Sequence, residues 1–325
     1  MSLFDFITEK VKGKGTKIVL PEGNDIRVLG AAIRLKDDDV IEPIVIGKKE
    51  EVLKLAEENG KDASKLTIID PRNCEELDEL VDAFVERRKG KIDEEGARKL
   101  LLEDPNYFGT LLVFTNRADG LVSGATRSTG DTVRPALQII KMQEGYSKTS
   151  GVMFMVKDDE QLVFADVAIT IAPTSEDLAE TAILSAKTAK QFNIDPKIAM
   201  LSFSTMGSAE SEEVTKVSEA TKIAKEKAPD LALDGEMQFD AAYVPSVGKS
   251  KAPNSSVAGH ANVFIFPTLE AGNIGYKIAQ RLGEYEAVGP ILQGLNAPVN
   301  DLSRGCNEED VYKLSLITAA QALID

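Results

Sequence analysis

The sequence predicts an α/β protein of two layered domains with mostly parallel sheets, on three observations. Short apolar runs alternate with amphipathic helical stretches along the whole chain. At 325 residues it is long for one domain and comfortable for two. The segment EGYSKTSG (144–151) has the polar, glycine-containing composition of a domain crossing.

The opening MSLFDFITEKVKGK mixes acids and bases without a signal-peptide core and reads as a first helix. TKIVL (16–20) reads as a short buried strand feeding a helix capped by Asn24 or Asp25. IEPIVIG is a second strand, KKEEVLKLAEENG a polar amphipathic helix and KLTIID a third strand. A helical region runs from Cys74 to about Lys89, and DEEGARKLLLEDP starts another helix. YFGTLLVFTNRADGLVSGA reads as strands ending in a glycine-containing loop. SGATRSTGDTVRPALQII then enters a helix begun by Asp131 or Thr132, with Pro135 in its first turn.

Past the crossing, VMFMV and QLVFADVAITIAP read as a hairpin and a buried strand. SEDLAETAILSAKTAKQF is a helix with Ser175 as cap and Glu176 and Asp177 in its first turn. PKIAMLSFS is a strand, AESEEVTKVSEATKIAKEK a helix, and LALDGEMQFDAA a strand reaching a loop. SVAGHANVFIFP is a strand and AGNIGYKIAQRL a helix, while AVGPILQGLNAP, rich in Gly and Pro, reads as a return segment. In the last helix, capped by Asn307, residues Val311, Leu314, Ile317, Ala320 and Leu323 keep helical spacing.

Composition removes several functions. No apolar run approaches the length that spans a bilayer, so a cytoplasmic protein is expected. Cys74 and Cys306 lie far apart without a CxxC pair, which argues against a structural disulfide or zinc site. His260 is the sole histidine, so a multi-histidine metal site is excluded and any Ser–His–Asp device must run through that ring. Placed just before an apolar strand, it reads as a loop residue rather than a general base. A net charge of −15 disfavours nucleic acid and anionic membranes, and gives weight to arginines that lie near motifs. No GxGxxG follows the first strand, and Gly248-Lys249-Ser250 lacks the first glycine of a P-loop because Tyr243 stands there.

The chemistry concentrates in APVNDLSRGCNEED (297–310). Ser303, Arg304 and Asp310 supply a hydroxyl, a guanidinium and a carboxylate across a helix start, where free N–H groups favour an anion. Asn307-x-x-Asp310 is equally a capping box, in which Asp310 only accepts a backbone N–H. Cys306, near the same helix start, offers a rival acyl-cysteine route if that end lowers its pKa. Ser123, Gly124, Ser128, Thr129 and Gly130 allow close backbone approach to an anion, with Arg134 one turn into the helix beyond. Glu86-Arg87-Arg88-Lys89-Gly90-Lys91 is a basic cluster that also suits a helix C-terminus.

PVNDLSRGC with its acidic run resembles the C-terminal signature of the phosphate acetyltransferases (phosphotransacetylases). LVSGATRSTGDTVRPALQIIK, SFSTMGSAESEEVTKV, DGEMQFDAA and NVFIFPTLEAGNIGYKIAQR match the same family, in order, over essentially the whole chain. The resemblance implies a two-domain αβα sandwich like the isocitrate/isopropylmalate dehydrogenases, with the active site in the cleft between domains. It implies a discontinuous domain I, 1–147 plus 291–325, and a domain II of 148–290. It implies transfer of an acetyl group between coenzyme A and phosphate, in a homodimer, with no cofactor, coenzyme A being a substrate. Asp310 would be the base for the thiol, Arg304 the guanidinium on the acyl carbonyl or phosphate, and Ser303 a positioning hydrogen bond. Arg88, or Arg87 given one missing residue of spacing, and Arg134 would hold coenzyme A phosphates, beside Ser128 and Thr129. A phosphate butyryltransferase, a non-catalytic coenzyme A or acyl-phosphate binder, and a dehydrogenase of the same fold are the alternatives.

Overall fold

The computed structural model describes residues 3–323 and divides into two compact units, Met1–Glu144 with Leu295–Asp325, and Gly145–Gly294. The first unit opens with α1 (Leu3–Val11), β1 (Lys17–Leu20), α2 (Ile26–Asp37), β2 (Glu42–Ile46), α3 (Lys49–Glu58) and β3 (Thr67–Ile69). It continues with α4 (Leu77–Arg88), α5 (Glu94–Glu103), α6 (Pro105–Phe114), β4 (Gly120–Ser123) and α7 (Thr129–Pro135). The second unit runs β5 (Ser150–Lys157), β6 (Glu160–Ala165), α8 (Ser175–Gln191), β7 (Lys197–Leu201), α9 (Glu212–Lys227) and β8 (Ala232–Met237). It closes with α10 (Phe239–Tyr243), α11 (Pro245–Lys251), β9 (Val263–Ile265), α12 (Leu269–Leu282) and β10 (Glu286–Gln293). Then β11 (Val299–Asp301) and α13 (Glu308–Ala322) return to the first unit.

In the first unit the strand order is β11-β4-β1-β2-β3, and every pairing is parallel. Ile18, Val19 and Leu20 of β1 are wholly buried, which accounts for an apolar run rather than an alternating one. Asp25 caps α2, accepting the N–H of Arg27 at 2.9 Å. Val311, Leu314, Ile317 and Ala320 of α13 are buried as their spacing requires. The second unit orders its strands β10-β5-β6-β9-β7-β8, with β10-β5 and β5-β6 antiparallel and the rest parallel.

The structure departs from the sequence expectation at several elements. Tyr107–Phe114 is helix, not strand. Asp104 caps it, Pro105 fills its first position, and residues 106–113 are all buried, so no polar face displays the helical period. Helix α7 starts after Ser128, with Asp131 completing a capping box, rather than at Asp131 or Thr132. Pro135 therefore falls in the second turn; it lacks an N–H, and a π-helical turn follows over 136–140. Helix α8 is capped by Thr174, one residue before Ser175, because Thr174 and Asp177 bond each other reciprocally.

AVGPILQG is not a plain return segment but contains β10, paired with β5 and irregular between Val288 and Ile291, where Gly289 and Pro290 fall. AITIAP is not strand, since buried Asp166 gathers the N–H groups of Ala168, Ile169 and Thr170 into a loop. Gly248-Lys249-Ser250 lies within α11, a helical setting with no phosphate-cradling loop. His260 is an exposed loop residue. Among the described residues, no helix is long and apolar enough to cross a membrane.

Candidate active site

Three adjacent parallel strands bring the candidate residues to one edge of the first unit's sheet. Val299, Asn300 and Asp301 of β11 stand opposite Leu121, Val122 and Ser123 of β4, and β4 pairs in turn with β1. The loops leaving the carboxyl ends of β1, β4 and β11 therefore emerge side by side. From β1 the chain continues to β2 and β3 on one side, while β4 and β11 lie on the other. Such a reversal parts the loops after β1 and β4 and is where open α/β sheets bind ligands.

At that point stands a carboxylate that sequence reasoning missed. Glu22, 2% exposed, accepts the backbone N–H groups of Gly124 (2.9 Å), Ala125 (2.9 Å), Thr126 (2.7 Å) and Arg127 (3.2 Å), and the Thr126 hydroxyl at 2.7 Å. Within the loop expected to admit an anion at Ser123, Gly124, Ser128, Thr129 and Gly130, the amides of 124–127 are thus already given to an internal one. Gly124 is required there. Its φ is +115°, and a Cβ would lie 2.5 Å from Asp301 Oδ1. Arg27 was missed as well, and it bonds carbonyls of both neighbouring loops. The available signal was an acid and an arginine placed directly after the first strand; apart from Asp25, which pairs with Arg27, their partners lie 98 residues away or more.

Ser303, Arg304 and Gly305 form an exposed turn before α13, closed by Cys306 N–H donating to the Ser303 carbonyl at 2.9 Å. Ser303 Oγ accepts the Gly305 N–H at 3.3 Å. Among the described residues, the Arg304 side chain has no hydrogen-bond or ion-pair partner, so its guanidinium is available to a ligand. Asp310 is half-buried and completes the capping box: Oδ2 accepts the Asn307 N–H at 2.9 Å, and the Asp310 N–H donates to Asn307 Oδ1 at 3.0 Å. Its Oδ1 has no hydrogen-bond partner among the described residues. Capping therefore occupies one oxygen and leaves the other.

Ser128 Oγ bonds Asp131 at 2.8 Å, and the Thr129 hydroxyl donates to Asp301 Oδ2 at 2.6 Å, tying the start of α7 to the strand that delivers Ser303 and Arg304. Asp301 is 2% exposed, and among the described residues its Oδ1 has no hydrogen-bond partner. Burial pushes its pKa up to about 6, against the hydrogen bond from Thr129 and the nearby Thr132 hydroxyl, with the Glu22 and Asp131 charges adding to the rise.

Arg134 is exposed on α7, and Arg88 is half-buried at the end of α4. Both charges act against the rise that burial gives the Tyr107 pKa, so both lie within electrostatic reach of that hydroxyl. Arg87 is committed elsewhere: Nε donates to the Ile139 carbonyl at 2.6 Å, Nη2 to the Ile140 carbonyl at 3.0 Å, and its plane covers Phe114 at 4.8 Å. Arg88 has no such partner among the described residues, which makes it the arginine open to a ligand. Positive charge accumulates here. Lys141 is held below its ordinary pKa, first by Arg87, then by desolvation and by Lys89, Lys91 and Arg88.

Cys306 does not have the lowered pKa that a nucleophile at this helix start would need. Burial pushes its thiol up to about 11, Arg27 offsets this only in part, and Asp310 adds to the rise. Among the described residues no group of three or more His, Cys, Asp or Glu side chains lies together as a metal site.

The family model described as "Phosphate acetyl/butaryl transferase" matches residues 2–319. The chain belongs to this family. It is 65% identical over 321 residues to a phosphate acetyltransferase of Bacillus subtilis (strain 168), covering 99% of each chain. Among solved structures it matches a phosphotransacetylase from Streptococcus pyogenes at a TM-score of 0.95 and 59% identity, covering 99% of each chain. The EutD phosphotransacetylase from Staphylococcus aureus matches at 0.93 and 59%, covering 98% of each chain.

Proposed function

We infer that this chain is an acyltransferase that moves an acetyl group reversibly between coenzyme A and inorganic phosphate. The observation that carries this reading is end-to-end identity of 65% with a relative of that activity, in a family whose model spans residues 2–319. In the direction of acetyl-CoA formation, the thiol sulfur attacks the carbonyl carbon of acetyl phosphate. The bond from that carbon to the bridging oxygen then breaks, and phosphate leaves with the electron pair. A free thiol titrates near ~8.5, so a base at the sulfur speeds attack at neutral pH.

Asp310 is assigned that base, through the carboxylate oxygen that its cap leaves free. Arg304 is assigned to the charge that grows on the carbonyl oxygen or the departing phosphate, because its guanidinium has no internal partner. Ser303 is assigned a positioning hydrogen bond from the same turn. Arg88 and Arg134 are assigned to coenzyme A phosphates, in the basic region around Tyr107, with Ser128 and Thr129 at the start of α7 as polar contacts. The reaction shifts an acyl group and a proton and changes no oxidation state, so no cofactor is assigned; coenzyme A is a substrate. A cytoplasmic setting fits the two free thiols, Cys74 and Cys306.

A homodimer is assigned through the second unit. Ile274, Ile278 and Leu282 of α12 are 58%, 53% and 81% exposed at successive turns, beside an apolar groove of about 510 Å³ that includes Phe239, Phe266 and Tyr285. Sedimentation of Ile278→Glu should then give a monomer. The acyl group is tested by one coupled assay with acetyl, propionyl and butyryl phosphates. Acetyl should give the highest kcat/KM, and a preference for butyryl would assign the chain to butyryl transfer instead.

A further inference from the structure

Arg27 spends all five of its guanidinium N–H groups on the protein. Nε donates to Asp25 Oδ1 at 3.0 Å and Nη2 to Asp25 Oδ2 at 2.8 Å, a bidentate pair that fixes the plane of the fork. The second Nη2 hydrogen goes to the Ala125 carbonyl at 2.9 Å. Nη1 goes to the carbonyls of Arg304 (3.0 Å) and Cys306 (2.9 Å). One side chain on the first turn of α2 thus holds the loop after β4 and, in the turn before α13, the carbonyl of Arg304 itself and that of Cys306. The other face of the loop after β4 is held by Glu22, so the two residues clamp it from the same connection. Against this stands the Arg304 side chain, which has no partner of its own among the described residues. The protein holds Arg304 through its backbone, where Arg27 donates to the Arg304 carbonyl, and so sets the point from which the side chain departs.

We propose that Arg27 is a positioning residue for acyl transfer, acting on the reaction through the orientation of Arg304. The proposal rests on the reading of Arg304 as a group that meets the reacting atoms. It makes the geometry of the fork the operative property, not the positive charge. Lysine keeps the charge but has three donors on a point-like head, which cannot hold three carbonyls and a bidentate carboxylate together. A displacement of about 1 Å in a reacting group is enough to cost on the order of 10²-fold in rate.

The test is a double-mutant cycle on kcat, with melting temperatures measured alongside. Arg27→Lys and Arg27→Gln should each lower kcat by at least about 30-fold while KM for both substrates stays within about threefold. Arg304→Gln should lower kcat by about 10²–10³. Combined with Arg304→Gln, either Arg27 change should add less than about threefold, because the group it orients has gone. A purely structural staple would instead give independent losses that multiply in the double variant, and that result overturns the proposal. So does an Arg27→Lys enzyme with kcat near the unaltered value, which would make charge the operative property. If Arg27→Gln does not fold, the lysine arm of the cycle decides. An Arg304→Gln variant with undiminished kcat would overturn the role of Arg304 itself and this inference with it. Multiplicative losses with an impaired Arg304→Gln overturn only the role of Arg27.

Discussion

The first unit uses a guanidinium and a carboxylate twice, a few residues apart in space, for different ends. In the connection after β1, Glu22 and Arg27 are saturated: five donors converge on the one, and five acceptors surround the other. In the turn before α13, the Arg304 side chain has no partner among the described residues and Asp310 keeps one oxygen free. Residue type does not separate the two pairs; unspent hydrogen-bonding capacity does. A buried polar group must be satisfied by the protein or it costs stability, whereas an exposed one can wait for a ligand.

That contrast predicts opposite effects from similar substitutions. Asp310→Asn keeps an oxygen for the Asn307 N–H but loses basicity. We expect kcat to fall by about 10²–10⁴ with a nearly unchanged melting temperature, and the loss to shrink at high pH where more thiol is ionised unaided. A variant that melts several degrees lower yet turns over normally would leave Asp310 a cap. Glu22→Gln should behave in the reverse sense. An amide in place of the carboxylate presents an NH₂ to backbone donors and weakens several charged hydrogen bonds, costing about 3 kcal/mol or more. Thermal denaturation should show a midpoint lower by on the order of 5–10 °C. A stable Glu22→Gln protein would break the contrast.

Asp301 lies between the two classes, buried but only half satisfied. Its folded pKa of about 6 stands above the ordinary 3.8. Between those values the folded protein holds a proton that the unfolded chain has released, so this group's contribution is fully present below the lower value and is lost as pH rises through the upper one. The loss is on the order of 3 kcal/mol. Urea titrations of the protein and of Asp301→Asn across this range should show the difference in stability shrink in that direction. A pH-independent difference would remove Asp301 from the account.

Smaller effects sharpen the ligand side. Arg88→Gln and Arg134→Gln should raise KM for coenzyme A about tenfold, with a lesser effect on kcat. Steady-state kinetics showing lost kcat at unchanged KM would end that assignment. Cys306→Ala should keep most of the activity, and a trapped acetyl adduct by mass spectrometry would revive the covalent route.

What was legible in the sequence follows from distance along the chain. Asn307 bonds Asp310, and Ser303 bonds Gly305 and Cys306, all within eight residues, so the cap and the turn could be read directly. Apart from the Asp25 carboxylate, which Arg27 meets two residues away, Glu22 and Arg27 find their partners 98 to 279 residues away, and no local pattern announces such bonds. Elements failed for the same reason. In α6, burial on all sides erased the periodicity that identifies a helix. In β10, pairing with β5 overrode the turn propensity of Gly289 and Pro290. The three residues of β11 are too few to show any period, and only their place beside β4 makes them a strand.

The pairing of β11 with β4 also bears on how the protein is made. Residues 145–294 leave the ribosome after β4 and before β11, so the second unit is synthesised complete while one edge of the first unit's sheet still stands open. Until residues 299–301 emerge, β4 presents unpaired N–H and C=O groups, and Arg27 on α2 lacks the Arg304 and Cys306 carbonyls that it holds in the finished fold. The nascent chain therefore carries a sticky strand edge while the whole second unit is made, and the segment that follows both seals that edge and delivers Ser303, Arg304 and Asp310.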